Sequence, residues 1–139
     1  MSGLIALDSP ALLEFWTERH LCTLTTLRAD GSPHVVAVGA TLDPVTGLAR
    51  IISSRDSAKV RHIRDGAGRV AVCQVDGARW STVEGLAVVR DDPESVADAE
   101  RRYAARYRQP RPNPQRIVIE ISVRKILGSA SLTSGVTGN

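Results

Sequence analysis

Three hydroxyls and two cations crowd into seven residues where the chain reads Ser53-Ser54-Arg55-Asp56-Ser57-Ala58-Lys59, directly after the apolar pair Ile51 and Ile52. A helix opening near Ser57 aims its unpaired amides and the positive end of its dipole at whatever lies in front of it. Arg55 and Lys59 flank that point, and the hydroxyls of Ser53, Ser54 and Ser57 can donate to an anion. Together they are able to satisfy a dianionic phosphate through charge-assisted hydrogen bonds. The same residue types also serve a plain strand-to-helix corner, with Ser57 as cap and both cations in water. No glycine-rich phosphate loop accompanies the stretch, so the residues alone leave both roles open.

Two further groups could meet a ligand. Gln74, Arg79 and Trp80 surround the tight turn at Asp76 and Gly77. A ring system can meet an amide at its edge and an indole on its face; the other reading is a hairpin tip with the indole folded back. Arg101, Arg102, Arg106, Arg108, Arg111 and Arg116 lie close to Tyr103 and Tyr107. Forked guanidinium groups suit carboxylates or phosphates, and tyrosines suit a partly aromatic anion, set against a merely solvated face. His20, His34 and His62 have no metal spacing, and Cys22 and Cys73 read as buried, reduced thiols. No serine or cysteine sits in a nucleophile elbow and no carboxylate pair suggests glycoside chemistry. An enzyme built from these residues leaves its chemistry to a bound cofactor, and no catalytic side chain is identified.

The elements that must position these groups are mostly strands. Ser9 and Pro10 open a first helix with Leu12, Leu13 and Trp16 on one side. Residues 21–27 and 34–42 form a hairpin across Ala29-Asp30-Gly31-Ser32. Gly39, inside the returning strand, marks a bulge or a backbone that something approaches closely. Residues 48–53 give a third strand, 57–64 a helix, 69–75 and 80–90 the next two strands, the latter interrupted by Gly85. Asp92 and Pro93 open a helix through Arg108, and Pro110, Pro112 and Pro114 then forbid helix and central strand alike. The alternation of Ile117, Ile119, Ile121 and Val123 supplies a sixth strand over residues 116–126. The fold expected is mainly β: a six-stranded antiparallel split barrel or half-barrel with short helices.

The 139 residues, 42% of them hydrophobic, suit one domain over 1–139, with a loose polar tail from about 129 to 139. A chain of this size buries about two-thirds of its unfolded surface, so a large ligand belongs in a groove or between subunits. The net charge of +3 favours anions only weakly, and 4% aromatic residues supply no base-stacking platform, so nucleic acid is not the expected partner. No stretch reaches the roughly 18 apolar residues of a membrane span and no signal peptide is evident, which points to a cytoplasmic protein with no membrane partner.

Three segments in order, LCTLTTLRADGSPHVVAVGATLD, ARIISSRDSAKVRHIRD and VAVCQVDGARWSTVEGLAVV, resemble the split β-barrel flavin and deazaflavin oxidoreductases related to pyridoxamine 5'-phosphate oxidase. The resemblance covers roughly residues 10 to 127. RYRQPRPNPQRIVIE resembles in particular the coenzyme F420-dependent biliverdin reductases. The resemblance implies a homodimer with cofactor sites at the subunit interface, each lined by both chains. It implies that Ser53, Arg55, Ser57 and Lys59 hold the cofactor phosphate, with Ser54 and Ala58 in the same site. His34, Val35, Val36 and Ala37 would lie against the deazaflavin, and Gln74, Arg79 and Trp80 around its ring or tail. The implied reaction is hydride transfer from reduced F420 to the C10 methine of biliverdin, giving bilirubin, with the proton from water or the substrate's own pyrroles. Arg106, Arg108, Arg111 and Arg116 are the expected binders of the tetrapyrrole's propionates. The alternatives are an FMN-dependent oxidase or reductase on the same barrel, or a non-catalytic flavin or tetrapyrrole binder. No equivalent of the oxidases' substrate-phosphate segment stands near the C-terminus, which argues against vitamin B6 as substrate.

Overall fold

The computed structural model describes residues 3–134. In chain order the elements are β1 (Gly3–Leu4), α1 (Pro10–Thr17), β2 (Cys22–Leu27), β3 (Pro33–Val38), β4 (Ala40–Asp43), β5 (Leu48–Ser54), α2 (Ala58–Asp65), β6 (Arg69–Asp76), β7 (Arg79–Arg90), α3 (Pro93–Arg106), β8 (Arg116–Gly128) and α4 (Ser131–Ser134). Seven strands follow one another in the order β3-β2-β6-β7-β8-β5-β4, every pair antiparallel, and short β1 pairs with β8.

The expected six strands become eight, because β1 is added and the strand expected over residues 34–42 is really two. β3 pairs with β2 and β4 pairs with β5, so the chain changes partners at Gly39. A Cβ placed on Gly39 would meet Tyr103 Cε2 at 2.7 Å and Tyr107 Cε2 at 3.1 Å. The rings of Tyr103 in α3 and of Tyr107 just past its end therefore occupy the break, and only a residue without a side chain leaves them room. The same residue joins the two ends of the strand path, so the sheet curls until its edges are one residue apart. That curl is the split barrel. Gly85 marks a bulge between β7 and β8, where a Cβ would run into the Ser122 carbonyl.

Inward-facing residues of the strands, Leu24, Val72, Val83, Ile51, Ile119 and Ile121 among them, are almost wholly buried. α1 adds Leu12, Phe15 and Trp16 to that core. Ser9 stands at the N-cap position but does not cap; its hydroxyl donates instead to the Leu132 carbonyl at 2.6 Å. That contact corrects the expectation of a loose tail from 129. Leu132 is 2% exposed within α4, because burying its side chain against α1 outweighs the cost of ordering a short polar segment. Residues 135–139 of the expected tail lie outside the described residues. α3 starts as expected, with the Asp92 carboxylate accepting from the Ser95 amide at 3.0 Å, but ends at Arg106 rather than Arg108. No helix among the described residues is long and apolar enough to cross a membrane.

α3 is fastened to the barrel by charge. Asp43 lies 3.3 Å from Arg50 and 3.4 Å from Arg102, and Asp98 lies 3.0 Å from Arg102 and 3.6 Å from Arg50. Two carboxylates and two guanidinium groups, neutral in sum, thus lock the helix that carries Tyr103 and leads into the proline loop.

Candidate functional site

β5 ends at Ser54 and α2 begins at Ala58, so the corner between them is the one the sequence marks out. Ser57 holds the N-cap position in extended backbone, yet its side chain makes no cap bond. Its hydroxyl meets that of Ser53 at 3.0 Å, leaving the first amides of α2 without a side-chain acceptor. Arg55 is exposed and Lys59 half-buried, and among the described residues neither forms an ion pair with a carboxylate. Burial pulls the Lys59 ammonium below its ordinary pKa, with no neighbouring acid opposing the shift. A desolvated cation beside free amides and two hydroxyls is chemically suited to receive a phosphate. The group implied by the resemblance therefore fits this corner.

The corner opens into a cleft of about 530 Å³. Ser53 and Ser54 form one wall, the ring of Tyr103 another, and the loop between α3 and β8 supplies Arg108, Arg111 and Arg116. Arg116 is tied to Glu100 at 2.7 Å. Arg108 and Arg111 are exposed and make no ion pair among the described residues. The sequence reading thus places three of its four substrate arginines beside the anion corner.

Arg106 is the exception and is corrected. It is 8% exposed and points inward, donating to the Ala40 carbonyl at 2.6 Å, to Gln74 Oε1 at 2.7 Å and to the Glu18 carbonyl at 2.8 Å. Its guanidinium lies over the rings of Trp16 and Tyr107. Gln74 is corrected with it: 1% exposed, its amide donates to the Phe15 carbonyl at 3.1 Å, so no cofactor edge can reach it. Both signals were present in the sequence. Ala99, Tyr103 and Arg106 follow helical spacing onto one face, and Val70, Val72 and Gln74 alternate onto one side of a strand.

Arg79 and Trp80 stand apart from the corner within one chain. Ser81, next to Trp80, pairs with Gly128 at the end of β8, whereas Ser54 pairs with Arg116 at its start. Arg79 bridges Glu18 at 2.8 Å and Asp76 at 2.6 Å and stacks on Phe15. The hydrogen bonds from Arg79 and then His20 hold the Glu18 carboxyl down to about 2. Glu18, His20 and Asp76 could converge on a cation, but the Arg79 guanidinium already fills that role.

The four residues expected against the deazaflavin divide by strand alternation. Val35 and Ala37 face outward, while His34 and Val36 turn in. The His34 ring meets His62 of α2 edge-on at 4.9 Å, its Nδ1 buried and unpartnered, and His62 Nδ1 lies 2.8 Å from the Thr26 hydroxyl. β3 ends the strand path, so among the described residues its outer backbone edge carries no strand partner. The thiols are free, with Cys22 buried but Cys73 only half-buried on the outer face of β6.

An antiparallel split barrel of this kind is a fold shared with flavin and deazaflavin reductases. The chain belongs to the pyridoxamine 5'-phosphate oxidase family, whose sequence profile matches residues 9–129. It is 57% identical over 120 residues to the F420H(2)-dependent biliverdin reductase of Mycobacterium tuberculosis, covering 86% of this chain and 87% of that one. Among solved structures it is similar to a protein described as F420 reductase, at 25% identity and a TM-score of 0.65, covering 81% of this chain and 94% of the other. A conserved hypothetical protein of Mycobacterium tuberculosis shares the fold with a TM-score of 0.77 at 21% identity, covering 97% and 92%.

Proposed function

We propose that this chain is an F420-dependent oxidoreductase that reduces biliverdin to bilirubin, acting as a homodimer of one-domain subunits. When bound, reduced F420 supplies the hydride that reaches the C10 methine of the tetrapyrrole. The observation that carries the reading is the corner at Lys59: a half-buried ammonium without an acid, Arg55 beside it, and two hydroxyls at the uncapped start of α2. Ser53, Arg55, Ser57 and Lys59 hold the coenzyme's phosphate, with Ser54 and Ala58 alongside. The free edge of β3 and the outward Val35 and Ala37 are available to the deazaflavin, and Arg108 and Arg111 to the propionates. Tyr103 gives the cleft a flat wall against which a planar pyrrole can lie. The 57% identity to an F420H(2)-dependent biliverdin reductase supports both coenzyme and substrate.

A second subunit is part of this reading because it would bring the remaining expected residues to the corner. Arg79 and Trp80 lie at the far end of β8 from the corner, so a partner chain is the route by which their region reaches a coenzyme. The experiment is anaerobic mixing of the protein with reduced F420 and biliverdin, following reoxidation of the deazaflavin and formation of bilirubin by absorbance. Stoichiometric exchange of the two signals is expected. Purified protein carrying tightly bound FMN and inert toward F420 would overturn the proposal, and coenzyme binding without turnover would assign the chain a carrier role.

A further inference from the structure

The loop from Tyr107 to Gln115 has no regular secondary structure, and its three prolines remove backbone donors that could have tied it down. The Tyr107 hydroxyl holds its start to the His20 and Ala40 backbone, and beyond Tyr107 it is anchored at one place among the described residues. The Asn113 amide donates to the Ser54 hydroxyl at 2.9 Å, its carbonyl oxygen Oδ1 accepts from the Gln115 amide at 2.9 Å, and its backbone carbonyl accepts from Arg116 at 3.1 Å. The Arg55 amide in turn donates to the Gln115 carbonyl at 2.9 Å. Among the described residues this is the loop's one side-chain tether to the β5–α2 corner.

The chemistry of the tether is directional. Asn113 occupies an acceptor position of the Ser54 oxygen, which leaves the Ser54 proton free to be donated to an anion in the corner. A hydroxyl that donates to an anion becomes a better acceptor, so the Asn113 bond and the anion bond strengthen each other. Arg108 and Arg111 ride on the same loop, within the cleft that Ser54 lines.

We propose that Asn113 is a positioning residue that couples the anion corner to the arginine loop, so that phosphate bound at the corner fixes Arg108 and Arg111 for a carboxylate-bearing substrate. The inference rests on the reading of the corner as the coenzyme's phosphate site. It makes binding reciprocal: filling the corner tightens the cleft, and filling the cleft tightens the corner by the same factor.

Limited trypsin cleavage tests it without turnover. The Arg108–Gln109 bond is cleavable whereas Arg111 is shielded by the proline that follows, so nicking at Arg108 reports loop order. In the unaltered protein, inorganic phosphate or F420 slows that cut about fivefold. In Asn113→Ala, cleavage is faster throughout and the protection falls to less than about 1.5-fold, with phosphate affinity lowered about fivefold, the scale of one neutral hydrogen bond. Ser54→Ala loses the protection likewise, with a larger loss of phosphate affinity because its own bond to the anion goes too, and adding Asn113→Ala to it changes nothing further. Asn113→Ala also raises KM for biliverdin while leaving kcat near its starting value. Undiminished phosphate protection in both single variants, or none in the unaltered protein with either ligand, overturns the proposal. Protection by phosphate but not by F420 keeps the coupling and refutes the coenzyme assignment instead.

Discussion

At the scale of the residue, what a cation does here is decided by what already satisfies it. Arg106 has three protein acceptors and two aromatic rings, so it is an internal strut. Lys59 has burial without an acid, so its desolvation is recovered only when an anion arrives. Lys59→Ala is therefore expected to weaken F420 binding by about 1.5–3 kcal/mol, the scale of a hydrogen bond to a charged group. The unliganded protein should melt no lower, since the variant removes an unpaired, half-buried charge. A fluorescence titration of the deazaflavin checks the first point and calorimetry the second; unchanged affinity would remove Lys59 from the site. The lowered pKa adds a pH signature. Phosphate binding needs the ammonium charged, so affinity declines as pH rises toward a value below the ordinary 10.5 of lysine. Lys59→Ala lacks that decline, because Arg55 stays charged throughout.

At the scale of the element, the site depends on α3 being held where Tyr103, with Tyr107 just past its end, fills the break at Gly39. Burial by itself would raise the pKa of Asp43. The Thr46 hydroxyl, the Val45 amide, Arg50 and the charge of Arg102 more than offset this and hold the carboxyl down to about 2. A folded pKa below the ordinary 3.8 stabilises the fold above about pH 4, and that contribution is lost as pH falls toward 2. At 1.36 kcal/mol per unit it amounts to about 2 kcal/mol. Asp43→Asn should thus be less stable in urea at pH 7 by about that amount, with the gap to the unaltered protein closing between pH 4 and 2; a gap that stays constant would deny Asp43 its role. The strands were legible because alternation survives in them, as at Ile117, Ile119 and Ile121. The exchange of partners at Gly39 was not, since the apolar pattern runs unbroken from Val38 to Ala40 and glycine marks only that something comes close. The corner at Ser53 to Lys59 was legible from residue type. The inward turn of Arg106 and Gln74 lay in the periodicity but was outweighed by their polar character, and Leu132 was lost in a polar tail that one buried side chain orders.

At the scale of the whole molecule, the proposed homodimer would pair through the outer face of β3, β2, β6 and β7. Strand register places Ala37, Thr23, Cys73 and Thr82 in one row across that face, and Val35, Thr25, Ala71 and Glu84 in the next. Small and uncharged side chains dominate both rows, and Val35, Leu27 and Leu86 nearby remain exposed. The uncharged part of this face, bordered by Arg69, Glu84 and Arg124, suits packing against another sheet face. A two-fold pairing there would use the same patch on both chains, so one substitution acts twice. Thr25→Arg puts a cation at the middle of the patch and, by symmetry, near its own copy. The variant is expected to keep its far-ultraviolet circular dichroism while sedimenting as a monomer, because the outward Thr25 contributes nothing to the barrel core. If the coenzyme site is lined by both chains, the same variant binds F420 at least tenfold more weakly although the corner at Lys59 is untouched. A monomer that retains full affinity would place the whole site within one chain, and an unaltered protein that sediments as a monomer would remove the partner from the mechanism.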